Sequence, residues 1–294
     1  MIEKPQLPKT SLEPQLRPRL GQINYINSLP ITLPISRGIV GVEADVHLGT
    51  PQELNRGYAE NRLELGAMSA FFYLQSDGLN LLGDLSISSC GPVGSVLFFL
   101  KTEPDRSKTM RIAASSASLT SVNLLFILLK EEFKIEPSFT HCPSPDLTAQ
   151  EFDGALVIGD YALAVDAHWS KLARRFDLGE WWMSRFHLPM VFAVWAARSQ
   201  WQRQHNLECS SISESLKRSL AIGLNSGFDQ VVAEAVNLSG LSAQRLEHYF
   251  RAELDFSFTS DHLAGLNRYK SLCERHGLFA PSLLDRQPYG MPIA

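Results

Sequence analysis

The stretch "MVFAVWAAR", residues 190–198, is an almost uninterrupted run of apolar and aromatic side chains. A run of this length and composition is typical of a strand that is covered on both faces. A second run, "GSVLFFLK" at residues 94–101, has the same character. Together they predict an α/β protein whose sheets lie beneath layers of helices.

Strand-like and helix-like segments alternate around these two runs. Strands are predicted at 19–25, 42–49, 63–69, 110–115 and 155–160, and helices at 50–61, 118–133, 161–169 and over most of the chain beyond 198. Thr50 and Glu53 have the spacing of a capping box, which indicates that a helix begins there. Ser211 and Glu214 repeat that spacing and predict a second helix start.

The two apolar runs also suggest how the chain is divided into lobes. If both strands cross between lobes, lobe one comprises 19–100 and 197–294, and lobe two comprises 101–196. This arrangement is a clamshell with a double hinge, and we expect a ligand in the cleft between the lobes. Residues 1–18, which are rich in proline, are expected to form a flexible arm away from that cleft.

Composition excludes several classes of protein. The 294 residues carry a net charge of −4 and no basic run, which argues against a nucleic-acid binder. We predict no membrane span and no signal peptide, because every apolar run is too short, and we expect a cytoplasmic protein. The four cysteines and eight histidines lack metal-site spacing, so we predict free thiols and no metal site.

Polar residues collect where the predicted strands end, and the carboxyl ends of strands are where ligands bind in open α/β sheets. The candidates are Asn27, Ser28, Ser69, Ser89, Gly91, Ser95, Ser116, Thr120, Ser121, Gly159 and Asp160. The hydroxyls at 115–121 open a helix whose free N–H groups favour an anion. No P-loop sequence occurs, so we expect a carboxylate rather than a nucleotide.

Each of these candidates has a structural alternative. Serine, threonine and aspartate commonly cap helices, which applies to Thr120, Ser121 and Asp160. Asn27 could close an Asx-turn after the first strand, and Gly91 could belong to an ordinary turn.

Several segments together carry a resemblance to a known family. They are "GQINYINSLPI" (21–31), "LELGAMSAFFYL" (63–74), "LLGDLSISSCGPVGSVLFFLK" (81–101), "ASSASLTSVNLLFILL" (114–129), "ALVIGDYAL" (155–163) and "DLGEWWMSRFHLPMVFAVWAAR" (177–198). In this order they resemble the chorismate dehydratase family of the futalosine route to menaquinone. The resemblance implies a periplasmic-binding-protein-like fold of type II and a carbon–oxygen lyase that converts chorismate to 3-[(1-carboxyvinyl)oxy]benzoate and water.

The resemblance also implies roles for individual residues. Asn27 matches the family's asparagine and is expected to be catalytic, and nine of the other candidates lie in matching segments and are expected to bind substrate. Ser69 is expected to bind substrate because it follows a predicted strand. The substrate's own enolpyruvyl carboxylate is expected to take the ring proton, with no metal and no organic cofactor. Cys90 departs from the pattern, since an acidic residue is expected at that position.

Two alternative functions follow from the same sequence. One is an enzyme that makes 1,4-dihydroxy-6-naphthoate in the same pathway, in which a histidine is expected where this chain has Gly159. The other is a non-catalytic cytoplasmic binding protein for a small carboxylate.

Overall fold

The computed structural model describes residues 17–103, 105 and 108–279. The predicted arm, 1–18, therefore lies outside the described residues except for its last two positions. Within the described part of the chain, no helix is both long and apolar enough to cross a membrane.

The described residues form eleven strands. They are β1 Arg19–Ile23, β2 Asp45–Gly49, β3 Leu65–Ser69, β4 Leu79–Ser89, β5 Val96–Leu100, β6 Met110–Ser115, β7 Pro137–Cys142, β8 Gly154–Ile158, β9 Arg174–Asp177, β10 Met190–Arg198 and β11 Asp255–Ser257.

The same residues form eleven α-helices. They are α1 Leu29–Ser36, α2 Pro51–Ala59, α3 Ala70–Gln75, α4 Leu119–Leu128, α5 Gly159–Trp169, α6 Leu178–Phe186, α7 Ser199–Gln204, α8 Asn206–Leu224, α9 Phe228–Ser239, α10 Ala243–His248 and α11 Ser260–Arg275.

The strands build two sheets. The first has the order β11-β4-β10-β3-β1-β2, and the second has the order β7-β6-β8-β5-β9. Strands β1, β2 and β3 run parallel, whereas β10 runs antiparallel to both of its neighbours. In the second sheet β6 is parallel to β7 and β8, and β5 is antiparallel to β8 and β9.

The two apolar runs are interior strands, as their composition predicts. Strand β10 lies between β4 and β3, and all of its residues from Met190 to Ala197 are buried. Strand β5 lies between β8 and β9 and is buried along its whole length. The predicted burial of both strands is therefore confirmed.

The predicted lobe boundaries differ from the sheets that are observed. Strand β5 belongs wholly to the second sheet and β10 wholly to the first, so neither strand crosses between lobes. The chain crosses instead in two short segments, 90–95 and 187–189, rather than at 100 and 197. The physical reason is that a strand buried on both faces needs neighbouring strands and covering helices along its whole length. Such a strand lies within one sheet and cannot also link the two lobes. We call these segments the first and the second crossover.

Some helix starts agree with the sequence and others do not. The capping box at Thr50 is confirmed, because its hydroxyl accepts from the N–H of Glu53 and the Glu53 carboxylate accepts from the N–H of Thr50. The predicted start at Ser211 is wrong, because α8 begins at Asn206 and runs through that position.

A single buried carboxylate fastens the first crossover. Asp177, which ends β9, is 2% exposed. Its carboxylate accepts hydrogen bonds from the N–H groups of Val93 and Gly94 at 2.9 and 2.8 Å. It also accepts from the N–H groups of Gly179 and Glu180 at 3.0 and 3.2 Å, and so caps α6. One side chain thus fixes a crossover and a helix start in the same place.

We predict that Asp177→Ala lowers the free energy of unfolding by roughly 3–5 kcal/mol, because several buried N–H groups lose their acceptor at once. Asp166→Ala is the matched control: Asp166 also pairs with Arg175 but is less deeply buried, so its loss should cost about 1 kcal/mol or less. Urea denaturation followed by circular dichroism measures both. Equal, small losses in the two variants would contradict the role given to Asp177.

Candidate functional site

A partly enclosed cavity of about 50 Å³ lies between the two lobes. Its walls combine apolar side chains with hydroxyl groups, an amide and a phenol. The lining residues are Ile23, Tyr25, Asn27, Pro51, Ser69, Ile87, Val93, Ser95, Val96, Ser118, Ser121, Ile158, Gly159, Phe192 and Ala193. No lysine, arginine or histidine is among these described residues, so the walls carry donors without formal positive charge.

A larger groove of about 640 Å³ lies elsewhere, along α8 and β11 at the outer side of the first lobe. It is widely open to solvent, and none of the predicted site residues lines it. The partly enclosed cavity is therefore the better candidate for a ligand site, because small-molecule sites enclose most of the ligand surface.

The start of helix α4 supplies two hydroxyls to the cavity. Ser118 is its N-cap, with its Oγ accepting from the N–H of Ser121 at 3.3 Å and lying 3.2 Å from the Ser121 Oγ. The free N–H groups of a helix start and these hydroxyls together favour an anion.

Ser69 supplies a further hydroxyl from the first lobe, at the end of β3. It caps α3, since its Oγ accepts from the N–H of Phe72 at 3.3 Å. The Asn55 side chain donates to the same Oγ at 2.9 Å, which fixes the serine rotamer.

Ser95 contributes from the first crossover and is held by a buried tyrosine. The Tyr249 hydroxyl donates to Ser95 Oγ at 2.8 Å, and both residues are almost fully buried. Burial raises the pKa of Tyr249 above its usual value, so the phenol stays protonated and remains a donor.

Asn27 and Ser28 follow β1, but the structure separates their roles. The Asn27 Oδ1 is buried and accepts no hydrogen bond from any residue that the structure describes. The Ser28 hydroxyl lies 2.5 Å from the carbonyl oxygen of Ile23 and 2.8 Å from that of Tyr25. Ser28 therefore holds the turn, whereas Asn27 offers an unused amide oxygen within the cavity wall.

Gly159 and Asp160 begin α5 on the opposite lobe. The Asp160 carboxylate accepts from the Ile26 N–H at 3.0 Å and so joins the lobes. Burial raises the pKa of Asp160, and the Ile26 hydrogen bond partly offsets that rise. Burial, with the Asp160 charge nearby, also raises the pKa of Tyr25 to about 12, so Tyr25 is a neutral donor.

Thr120 also joins the lobes rather than lining the cavity. Its side chain is fully buried, and its Oγ1 accepts from the N–H of Phe71, at the start of α3, at 3.0 Å. The Tyr269 hydroxyl donates to the Thr120 carbonyl oxygen at 3.1 Å. The hydroxyl and the carbonyl oxygen of Thr120 therefore both take part in hydrogen bonds between the lobes.

The structure brings part of the predicted set together. The cavity contains Asn27, Ser69, Ser95, Ser121 and Gly159. Outside the cavity lining are Ser28, Ser89, Gly91, Ser116, Thr120 and Asp160. Sequence reasoning missed Tyr25 and Phe192 as wall residues. Their position within strand-like runs indicated only packing, although Tyr25 lies two residues before Asn27.

Comparisons with known proteins agree with this picture. The model of a family described as "Menaquinone biosynthesis" matches residues 18–275. A chorismate dehydratase of Thermus thermophilus is 34% identical over an alignment of 223 residues that covers 70% of this chain and 79% of that protein.

Solved structures show the fold. A protein of Archaeoglobus fulgidus matches with a TM-score of 0.72 at 18% identity, covering 90% of this chain and 100% of that one. A Candida albicans protein with the generic periplasmic binding protein fold has a TM-score of 0.65 at 10% identity, covering 92% and 94%. The periplasmic aliphatic sulphonate binding protein of Escherichia coli has a TM-score of 0.60 at 15% identity, covering 90% and 94%. The predicted periplasmic-binding-protein-like fold is confirmed.

We predict that Thr120→Val lowers the free energy of unfolding by about 1–3 kcal/mol, because the buried Phe71 N–H loses its acceptor. Thr120→Ser is the control, because it also changes the side chain but keeps the hydroxyl that accepts from Phe71. Urea denaturation gives both values. If Thr120→Val keeps wild-type stability but binds ligand more weakly, Thr120 contacts ligand and its role between the lobes is contradicted.

Proposed function

The chain belongs to the menaquinone biosynthesis family, and we propose that it is a dehydratase that removes water from chorismate. The products are 3-[(1-carboxyvinyl)oxy]benzoate and water, which makes the enzyme a hydro-lyase. The observation that carries the proposal is the chorismate dehydratase relative, which is 34% identical over 70% of the chain. The cavity supports it with a wall chemistry suited to a small dicarboxylate. We place the reaction in the cytoplasm, as the sequence suggests.

Chorismate enters this site by movement of the lobes. A volume of about 50 Å³ holds only a few water molecules, each of which needs at least about 10–15 Å³. Ligand sites usually enclose roughly 300–1,000 Å³. We therefore infer that the lobes are closed here, and we take the two crossovers as the hinge about which they open.

The walls recognise the two substrate carboxylates without salt bridges. Ser118 and Ser121, with the N–H groups that open α4, hold one carboxylate. Ser69 and Ser95 supply hydroxyls from the first lobe and the first crossover, and the backbone of Gly159 approaches from α5. Hydrogen bonds to a charged group are worth about 1.5–3 kcal/mol each, so a few of them suffice for orientation.

The reaction needs a base that accepts one proton and a donor that stabilises the departing hydroxyl. The ring carbon that bears the enolpyruvyl oxygen loses its proton, and the neighbouring carbon loses its hydroxyl. The electrons of the broken C–H bond complete the aromatic ring. In this proposal the substrate's enolpyruvyl carboxylate takes the proton, as the family resemblance implies. The absence of histidine and lysine from the described wall residues is consistent with that role. The reaction is redox-neutral, so it needs no redox cofactor.

Asn27 is the catalytic residue in this proposal. Its amide nitrogen can donate to the departing hydroxyl, while its unpartnered Oδ1 accepts from substrate. A preorganised neutral donor stabilises the charge that develops on the leaving oxygen. It does so without placing another negative charge beside two carboxylates.

The local geometry at Gly159 disfavours the naphthoate-forming alternative. A Cβ at this position would lie 3.3 Å from the Tyr25 ring, and the glycine has a positive φ of 61°. A histidine side chain there would meet both steric crowding and backbone strain. The Tyr25 ring thus occupies the space that a side chain at position 159 would need.

One incubation separates the proposed functions. We expect the purified protein to convert chorismate to the enolpyruvyl-oxybenzoate, which ¹H NMR detects as new aromatic signals. Chorismate that binds unchanged, detected by isothermal titration calorimetry, would indicate a binding protein instead. The assignment of chorismate as the ligand would be refuted if the protein neither converted chorismate nor bound it.

We predict that Asn27→Asp remains folded and loses at least about 100-fold in kcat/KM for chorismate, which is about 2.7 kcal/mol of transition-state stabilisation. A carboxylate at 27 would repel the substrate and could not donate to the leaving hydroxyl. Asn24→Asp is the matched control, because it adds the same charge at an exposed position of the same segment. Near-normal turnover by Asn27→Asp would contradict the catalytic role and indicate that Asn27 only closes an Asx-turn.

A further inference from the structure

Three side chains with metal-binding atoms meet beside the first crossover. Cys90 directly follows β4, and Asp255 is the first residue of β11, which pairs with β4 so that Asp255 lies opposite Ser88. His262 lies in the first turn of α11, a few residues after β11 ends. The sheet pairing therefore brings together three residues that are far apart in the sequence.

The distances between these atoms suit a tetrahedral cation. The Asp255 Oδ2 lies 3.4 Å from the Cys90 Sγ and 3.2 Å from the His262 Nε2, and all three atoms lie within 4.8 Å of one another. Ligand bonds of about 2.0–2.3 Å to Zn²⁺ place tetrahedral ligands roughly 3.2–3.8 Å apart. Two of the separations already fall in this range.

The geometry around the imidazole is consistent with a ligand role. The His262 side chain is only 4% exposed, and its Nε2 lies 3.2 Å from the Asp255 Oδ2 but is not directed at it as in a hydrogen bond. A buried nitrogen without a well-directed hydrogen bond is uncommon. Cys90 is exposed, so a cation can reach the cluster from solvent.

We propose that Cys90, Asp255 and His262 form a binding site for a divalent cation of the zinc class. A thiolate with an imidazole and a carboxylate favours Zn²⁺ over Mg²⁺ or Ca²⁺, which prefer oxygen ligands. Three protein ligands leave a fourth position for water. The sequence predicts no metal site, because Cys90 lies far from Asp255 and His262 along the chain and the three show no ligand spacing.

Neighbouring groups orient two of the ligands. Asp255 uses its Oδ1 to accept from the N–H and hydroxyl of Ser257 at 2.9 and 2.6 Å, which leaves Oδ2 for the cation. The His262 Nδ1 lies 2.9 Å from the Thr259 Oγ1. Such partners fix the ligand tautomer and orientation in metal sites.

Cation binding requires one proton to move on the imidazole. In the structure the Thr259 N–H donates to His262 Nδ1 at 3.3 Å, so the ring proton is on Nε2. A cation on Nε2 requires the proton on Nδ1, where the Thr259 hydroxyl can accept it. The exchange gives up one long hydrogen bond and keeps a short one. Because the imidazole proton moves from Nε2 to Nδ1, only the thiol proton is released to solvent when the cation binds.

This site is distinct from the cavity between the lobes, because none of its three residues lines that cavity. Cys90 is, however, the first residue of the first crossover. A bound cation would tie that crossover to β11 and α11 of the first lobe. The proposal is therefore independent of the proposed reaction and can be tested without an activity assay.

The test is a titration of the full, chelator-treated protein with Co²⁺ and then Zn²⁺. We expect one equivalent of Co²⁺ to give a sulfur-to-cobalt charge-transfer band in the near ultraviolet. Zn²⁺ should displace the cobalt with a micromolar or tighter Kd and raise the melting temperature. No binding of either ion below about 100 μM would overturn the proposal, since structural zinc sites bind far more tightly.

Variants connect the signal to the cluster. Cys90→Ser should abolish the charge-transfer band, and it and Asp255→Asn should each weaken Zn²⁺ binding at least tenfold. Cys142→Ser is the matched control, since Cys142 is a free, half-buried thiol outside the cluster, and it should bind as the native protein does. His262 is left unchanged because it also caps α11. Stoichiometric binding that persists in Cys90→Ser would overturn the proposal.

Discussion

The buried carboxylate of Asp177 is the interaction on which the two-lobe geometry depends. It accepts from the N–H groups of Val93 and Gly94, and also from the first N–H groups of α6. Helix α6 leads directly into the second crossover, so one side chain positions the first crossover and the helix that precedes the other. Asp177 therefore determines where the cavity between the lobes can form.

Two hydrogen bonds join the lobes beside the cavity, within a larger apolar interface in which Tyr269 of α11 packs against Trp182 of α6. Thr120 accepts from Phe71, and Asp160 accepts from Ile26, in each case across the lobe boundary. A hydrogen bond of this kind contributes only about 1 kcal/mol net, because water replaces the partner when the bond breaks. A ligand that binds the closed form better than the open form can thus decide the balance.

The sequence predicts the interior of each sheet better than its edges. Strands β5 and β10 are apolar throughout, and both lie between two neighbours. Strand β4 was not predicted, because Gly83 and Asp84 interrupt its pattern. Gly83 has a φ of 73°, and the pairing of β4 with β10 shifts register along the strand. Turn-like composition here marks an irregular strand, which only packing against the rest of the sheet can reveal.

The candidate site was predictable by position but not by role. Serine and threonine at a strand end are needed both for ligands and for the fold. Ser28 and Thr120 complete backbone hydrogen bonds, whereas Ser121 and Asn27 line the cavity. No local sequence feature separates the two uses, because the partner atoms belong to distant segments. The cluster of Cys90, Asp255 and His262 could not be predicted for the same reason, because the pairing of β11 with β4 brings distant residues together.

Among the described residues, the cavity wall contains no lysine, arginine or histidine, and the proposed mechanism depends on this. A lysine or arginine beside the enolpyruvyl carboxylate would bind it more tightly but would lower its pKa. A carboxylate with a lowered pKa is a weaker base and would take the ring proton more slowly. Hydroxyls and helix N–H groups orient the same carboxylate with partial charges only. Weak electrostatic binding is therefore what allows the substrate to act as its own base, and closure of the lobes supplies the orientation that a salt bridge would otherwise give.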